Sequence, residues 1–262
     1  MQKREAFETL TRIGFAARGL LYLVIAYLLI SAGRAADMTG ALEYLASDQT
    51  RVLLIAMLAG FVAYGIWRLA DAALDSEGHG DDGKGMVKRA GAAGSGIIYL
   101  FLAYQAYKLL NGGGDGGGGS GGGTQEGAQK VLELPGGPLL LALAAAILFG
   151  AGVWQLVKAA KASFLKHLDP KAAHEGWVKL FGQLGYGARG VIFMVTGFFL
   201  ARAALSERAS EAGGMEQALA WLSSPINVIV AAGLALFGIF SLVEARHRII
   251  HTPDRSDLPA HV

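Results

Sequence analysis

The chain has no cysteine and little charge: of its 262 residues, 17% are Asp, Glu, Lys or Arg. Without cysteine there are no disulfides, thiolate metal sites or cysteine nucleophiles, and the redox compartment stays open. Soluble domains carry about a quarter charged residues, so the deficit points to a membrane protein. A formal net charge of +2, with no Lys/Arg block interleaved with aromatics, gives no surface for nucleic acid.

Catalytic signatures are also missing. There is no G-x-S-x-G, no serine–lysine dyad and no pair of intramembrane aspartates, so neither an enzyme nor a cofactor is expected. His247 and His251 have the i, i+4 spacing of zinc ligands, but Arg246 and Arg248 flank them and no H-E-x-x-H follows. With His79, His167, His174 and His261, they read as surface histidines of loops and tail, and no metal site is expected. The glycine run at 112–123 lacks the Gly-Lys-Ser/Thr of a phosphate loop and reads as a flexible linker. Residues 74–87 turn from acidic (Asp75, Glu77, Asp81, Asp82) to basic (Lys84) without EF-hand spacing, as in a solvated connector.

What the chain does have is apolar length, with 53% hydrophobic residues and 38 glycines. Six stretches meet the roughly 17–25 residues a bilayer crossing needs: 14–32, 52–70, 94–110, 138–157, 184–204 and 225–243. The third is the shortest and contains Gln105. The first follows Lys3 and Arg4 as a signal peptide does, but its opening motif also heads two internal stretches, so it is read as a retained span.

That motif is G-x-x-x-[RS]-G-x-x-[YF]. It occurs as Gly14, Arg18, Gly19, Tyr22; as Gly91, Ser95, Gly96, Tyr99; and as Gly185, Arg189, Gly190, Phe193. The following spans match as well: Gly65-Ile66-Trp67, Gly152-Val153-Trp154 and Gly238-Ile239-Phe240, with Gly60 corresponding to Gly233. A recurrence of this kind sets the architecture. The expected fold is an all-α membrane protein of six transmembrane helices, built as three parallel helical-hairpin repeats at 12–78, 89–168 and 183–250. Residues 1–11 and 251–262 are tails, and the glycine-rich loop of the middle copy spans 111–123. Between the two spans of each copy, residues 41–45, 127–132 and 218–222 read as short amphipathic helices at one membrane face, anchored by Tyr44 and Trp221. Like-oriented repeats are compatible with a pseudo-threefold bundle, with the first, third and fifth spans inside.

Of the 23 Lys and Arg residues, 17 lie on the side of the termini, and six (Arg34, Arg51, Lys108, Lys130, Arg202, Arg208) on the other. The positive-inside rule then places both termini in the cytoplasm of an inner-membrane protein. Arg18 and Arg189 fall about one turn inside the cytoplasmic ends of their spans, where an arginine costs about 3 kcal/mol on insertion scales and needs a partner. Asp71, Lys158 and Glu244 align at the ends of the second spans. The copy with Ser95 has the lysine, so Arg18–Asp71 and Arg189–Glu244 ion pairs are expected, within or between hairpins. Snorkelling to anionic lipid phosphates at the cytoplasmic face is an equal alternative.

Tyr22, Tyr99 and Phe193 lie one turn after those positions, and Tyr27, Tyr104 and Phe198 form a second aromatic tier. Two readings stand: packing between helices, or lining a site together with Arg18, Arg189 and Ser95. Gly14, Gly19, Gly65, Gly91, Gly96, Gly152, Gly185, Gly190 and Gly238 are read as contact points where helix backbones approach closely.

The segments Gly-Tyr-Gly-Ala-Arg-Gly at 185–190, Gly-Phe-Ala-Ala-Arg-Gly at 14–19 and Tyr-Gly-Ile-Trp-Arg at 64–68 resemble the bacterial domain-of-unknown-function 1206 family. The resemblance covers about residues 12–250 and implies an integral membrane protein with three copies of a two-helix region. It implies no activity. The middle copy departs from the pattern in Ser95 and in its glycine run. The function expected is binding or passing a small solute, ion or lipid within the bundle. The alternative is a non-transporting scaffold, partner subunit or lipid organiser.

Overall fold

A computed structural model describes residues 2–47, 49–75, 78, 80, 82–113 and 122–249. Every regular element among them is helical: α1 (Gln2–Ala32), α2 (Met38–Leu45), α3 (Arg51–Leu74), α4 (Gly83–Leu110), α5 (Gly122–Leu132), α6 (Gly137–Ala160), α7 (Pro170–His174), α8 (Gly176–Ser206), α9 (Met215–Trp221) and α10 (Ile226–His247). Short 3₁₀ turns occupy Ser163–His167 and Ala209–Glu211. The helix ends follow local chemistry. The Asp82 side chain accepts from Gly85 N at 2.7 Å to start α4, and Asp169 accepts from Ala172 N at 2.9 Å ahead of Pro170 in α7.

Among the described residues, five helices are long and apolar enough to cross a membrane: the Glu8–Ala32 part of α1, and α3, α6, α8 and α10. The sixth expected span falls in α4, which has the length but is not among the five. Glycines 91, 94 and 96, Ser95, Gln105 and Tyr99, Tyr104 and Tyr107 dilute its apolar content. Of the apolar helices, α1 buries the largest share of its apolar window and α6 the smallest, with α3, α8 and α10 equal between them. The three expected loop helices are present as α2, α5 and α9. Ala41, Leu42 and Leu45, like Met215, Ala218 and Leu219, are buried, while Tyr44 and Trp221 stay exposed.

The chain divides into two compact units. One holds residues 1–18, 45–113 and 241–262, and in it α3 packs along α4. The other holds residues 19–44 and 114–240, with α6 along α8 and a small apolar core of Ala128, Leu141, Ala145, Leu200 and Ala203 beneath α5.

Glycine sets the helix spacing. In the first unit, a Cβ at Gly14 would stand 2.6 Å from Tyr64 Cβ, and one at Gly60 would collide with Ala17 Cβ. The second unit repeats this interlock at equivalent positions: 2.6 Å from Gly185 to Phe237 Cα and 2.6 Å from Gly233 to Ala188 Cβ. Real Cβ atoms do not approach so closely, so these positions require glycine. The middle copy has Ile147 and Ala151 where the others have glycine and an aromatic ring. Gly91, expected as a packing glycine, faces open space.

A second glycine set joins neighbouring copies. A Cβ at Gly65 would lie 3.1 Å from Gly96 O, one at Gly152 2.8 Å from Gly190 O, and one at Gly238 2.8 Å from Gly19 O. The second helix of each copy therefore meets the first helix of the next copy, and that of the third copy meets the first helix of the first. This order decides which charges meet.

Candidate functional site

Helix α1 carries Phe15, Arg18 and Tyr22 at i, i+3 and i+7, on one face. Arg18 Nη1 donates to the Tyr64 hydroxyl at 2.9 Å, Nε donates to Ser241 Oγ at 3.2 Å, and Nη2 donates to the Glu244 carboxylate. The other Glu244 oxygen accepts from Arg248 Nη1 at 2.6 Å. Rings enclose the group: the Arg18 guanidinium lies 4.6 Å from the Phe15 ring centre, and that of Arg248 lies 4.9 Å from it. Exposures of 6% for Arg18, 1% for Glu244 and 8% for Arg248 mean that three charges are held out of solvent. Such burial is tolerated only because each guanidinium faces a carboxylate and fixed dipoles. The group is a tie between α1, α3 and the end of α10, and all three nitrogens of Arg18 donate within it.

This pairing corrects the expectation. The carboxylate on Arg18 is Glu244, not Asp71, and Asp71 pairs with Arg68 of its own helix at 3.2 Å. The reason is the packing order above: α10 of the third copy, not α3 of the first, presents its acid to the first-copy arginine. Two further arginines cap helix ends in the same unit. Arg12 Nη1 donates to Ala245 O at 2.9 Å, and Arg89 donates to Ala72 O at 2.8 Å and Ala73 O at 3.1 Å. Cations there complement the negative ends of α10 and α3.

Arg189 of α8, in the other unit, is the third-copy equivalent of Arg18 and has a different environment. It does not pair with Glu244. Among the described residues it has no ion pair or hydrogen bond, and its Nε is buried without a partner. Its guanidinium lies 4.5 Å from the Phe237 ring centre, 5.2 Å from Phe193 and 5.4 Å from Tyr22. Each partner of Arg18 has a non-accepting or altered counterpart in the aligned sequence: Phe237 for Tyr64, Gln155 for Ser241 and Lys158 for Glu244. Lys158 Nζ instead donates to the Tyr186 hydroxyl at 3.1 Å and lies 4.3 Å over its ring. Tyr22 is fully buried, edge-on to Phe237 at 4.9 Å, and its hydroxyl has no hydrogen-bond partner.

The remaining expected site residues separate. Tyr99 is buried against Tyr64 at 4.4 Å and Phe61 at 5.8 Å, as a packing ring, and Ser95 is half-buried. Tyr27, Tyr104 and Phe198 are exposed, so no inner second aromatic tier forms. Of the proposed set, the structure brings together Arg189 and Tyr22. Of the histidines, His174 Nδ1 donates to Pro170 O at the surface, while His79, His251 and His261 lie outside the described residues, as do Glu77, Asp81 and positions 114–121 of the glycine run. No cluster of three metal-ligating side chains occurs among the described residues.

Sequence reasoning missed one further group. Asp37, between α1 and α2, accepts from Gly40 N at 2.9 Å. Burial pushes its pKa up to about 6, assisted by the charges of Glu216 and Glu43 and opposed by the Gly40 hydrogen bond. One Glu216 oxygen is itself buried without a partner.

A triplicated helical hairpin with five membrane-length apolar helices is the make-up of a multi-pass membrane protein. The chain belongs to the family described as Domain of Unknown Function (DUF1206), which it matches three times, at residues 13–75, 90–162 and 184–248. It is similar to Uncharacterized protein YxxB of Bacillus subtilis (strain 168), at 30% identity over 246 residues, which is 89% of this chain and 88% of that protein. No solved structure matches.

Proposed function

We propose that this is a plasma-membrane protein with both termini in the cytoplasm, which binds a ligand at the cytoplasmic ends of its helices and neither conducts solute nor catalyses a reaction. The observation that carries the reading is the contrast between two equivalent arginines: Arg18 is satisfied by Glu244, Ser241 and Tyr64, and Arg189 is left to rings. A motif kept in two copies but tied internally in only one leaves the other available for a ligand. Passage is disfavoured by the burial of Tyr22 and Tyr99 in ring clusters and by apolar outer halves of the motif helices, whose main polar exceptions are Gln105 and Thr196. The 17-to-6 division of Lys and Arg supports the orientation.

Reporter fusions after Val262 and in the 33–37 loop test orientation; a cytoplasmic signal from the loop fusion overturns it. Liposome flux of small ions and amino acids tests non-conduction, and protein-dependent flux overturns that part. A scaffold without a ligand is the second reading, favoured by how completely the Arg18 group is satisfied within the chain.

A further inference from the structure

We infer that Arg189 and the Tyr22 hydroxyl form an oxyanion site whose ligand is a phosphate ester, borne by a lipid headgroup or by a small soluble molecule. The inference rests on the binding reading above and gives it a place and a chemistry. Three observations converge. First, Arg189 is a permanent cation with no carboxylate partner among the described residues. Second, its buried Nε and the fully buried Tyr22 hydroxyl are both unpartnered, and the guanidinium lies 5.4 Å from the Tyr22 ring. Buried polar atoms are normally hydrogen-bonded, so two orphans around one cation mark a place where a partner is missing. Third, the repeat itself supplies a comparison: at the position where Glu244 neutralises Arg18, the copy packed against Arg189 has Lys158. The acid of one copy is a lysine in the other, so the counterpart of Glu244 cannot serve Arg189 as a carboxylate.

The ligand class follows from the donors. A guanidinium offers a planar fork that suits two phosphate oxygens, and a phenol adds a single donor. Phe237, Phe193 and Tyr22 flank the cation and keep one side of it apolar. An ester whose remaining bulk is apolar, or lies in the headgroup region, matches that apolar flank. A carboxylate-bearing protein partner is disfavoured, because Glu244 shows how a carboxylate in this frame is held: by a second arginine, Arg248, that the Arg189 environment replaces with rings.

The test uses the full chain in neutral detergent, with membrane integration scored beforehand by resistance to alkaline extraction, so that failure of the membrane reading is seen separately. Binding is measured by native mass spectrometry and by the shift in melting temperature for three probes: phosphatidylglycerol, inorganic phosphate and uncharged diacylglycerol. The expected result is retention of phosphatidylglycerol, lowered at least tenfold in Arg189→Gln and in Lys158→Glu, partly restored in Arg189→Lys, and unchanged in Arg202→Gln. Phosphatidylglycerol binding without inorganic phosphate binding assigns a lipid headgroup; binding of both assigns a soluble phosphate ester. Melting temperature without probe checks that each variant is folded. Equal retention by wild type and a folded Arg189→Gln, equal retention of diacylglycerol, or no binding of either phosphate probe overturns the inference.

Discussion

Arg18 and Arg189 occupy the same motif position on two copies of one hairpin, and their surroundings are nearly opposite. Arg18 reaches a hydroxyl, a second hydroxyl and a carboxylate, and lies 6% exposed. Arg189 reaches three rings and leaves Nε unpartnered. Three substitutions in the packing helices separate the two cases: Tyr64 against Phe237, Ser241 against Gln155, and Glu244 against Lys158. One motif position therefore holds a tied arginine in one copy and a ring-flanked arginine in another.

The largest effect that breaks the comparison is expected on its satisfied side. Glu244→Gln leaves Arg18 and Arg248 buried without a counter-charge, which costs about 3–5 kcal/mol in buried pairs, a drop of about 10 °C in melting temperature. Thermal melting in detergent checks this. Next come the glycine interlocks, which two copies share and the middle copy lacks. Gly185→Ala drives a methyl group to 2.6 Å from the Phe237 backbone and is expected to cost about 1–3 kcal/mol. Gly91→Ala, facing open space, is expected to be neutral or to gain up to about 1 kcal/mol of helix propensity. The same melting series reads both, and equal losses would remove the distinction between copies.

Lys158→Glu sharpens the comparison from the other side by giving Arg189 the acid that Arg18 has. It is expected to raise stability by about 1 kcal/mol while removing phosphate retention. The smallest effect concerns Asp37. Its folded pKa of about 6 lies above its ordinary value of 3.8, so the folded state holds the proton more tightly. Its contribution is therefore complete below about pH 4 and is lost as pH rises towards about 6. Asp37→Asn keeps an acceptor for Gly40 N and is expected to flatten that slope and raise stability at pH 7 by about 1 kcal/mol. Melting between pH 4 and 7 checks it.

The repeat, the motif helices and the three short loop helices were legible in the sequence, because glycine and aromatic spacing recurs while the loops between vary. The charge pairing was not. Reading along each hairpin, Arg18 falls with Asp71, Ser95 with Lys158 and Arg189 with Glu244, which looks like covariation. Reading in packing order, Arg18 falls with Glu244, Ser95 with Asp71 and Arg189 with Lys158. Three copies satisfy the first pattern by chance, and only helix packing decides between them. The glycines held the clue: Gly238 meets Gly19, and Gly152 meets Gly190, so each second helix serves the next copy. Gly91 matches the motif but faces open space, and its copy has Ile147 and Ala151 at the positions that complete the interlock in the other two.

The most direct test of the contrast is a paired melt of Arg18→Gln and Arg189→Gln, each with and without phosphatidylglycerol. Arg18→Gln is expected to melt about 5–10 °C below wild type in both conditions. Arg189→Gln is expected to melt like wild type without lipid and to lose the lipid-dependent rise. Two variants that melt alike and respond alike to lipid would contradict the contrast between the two arginines.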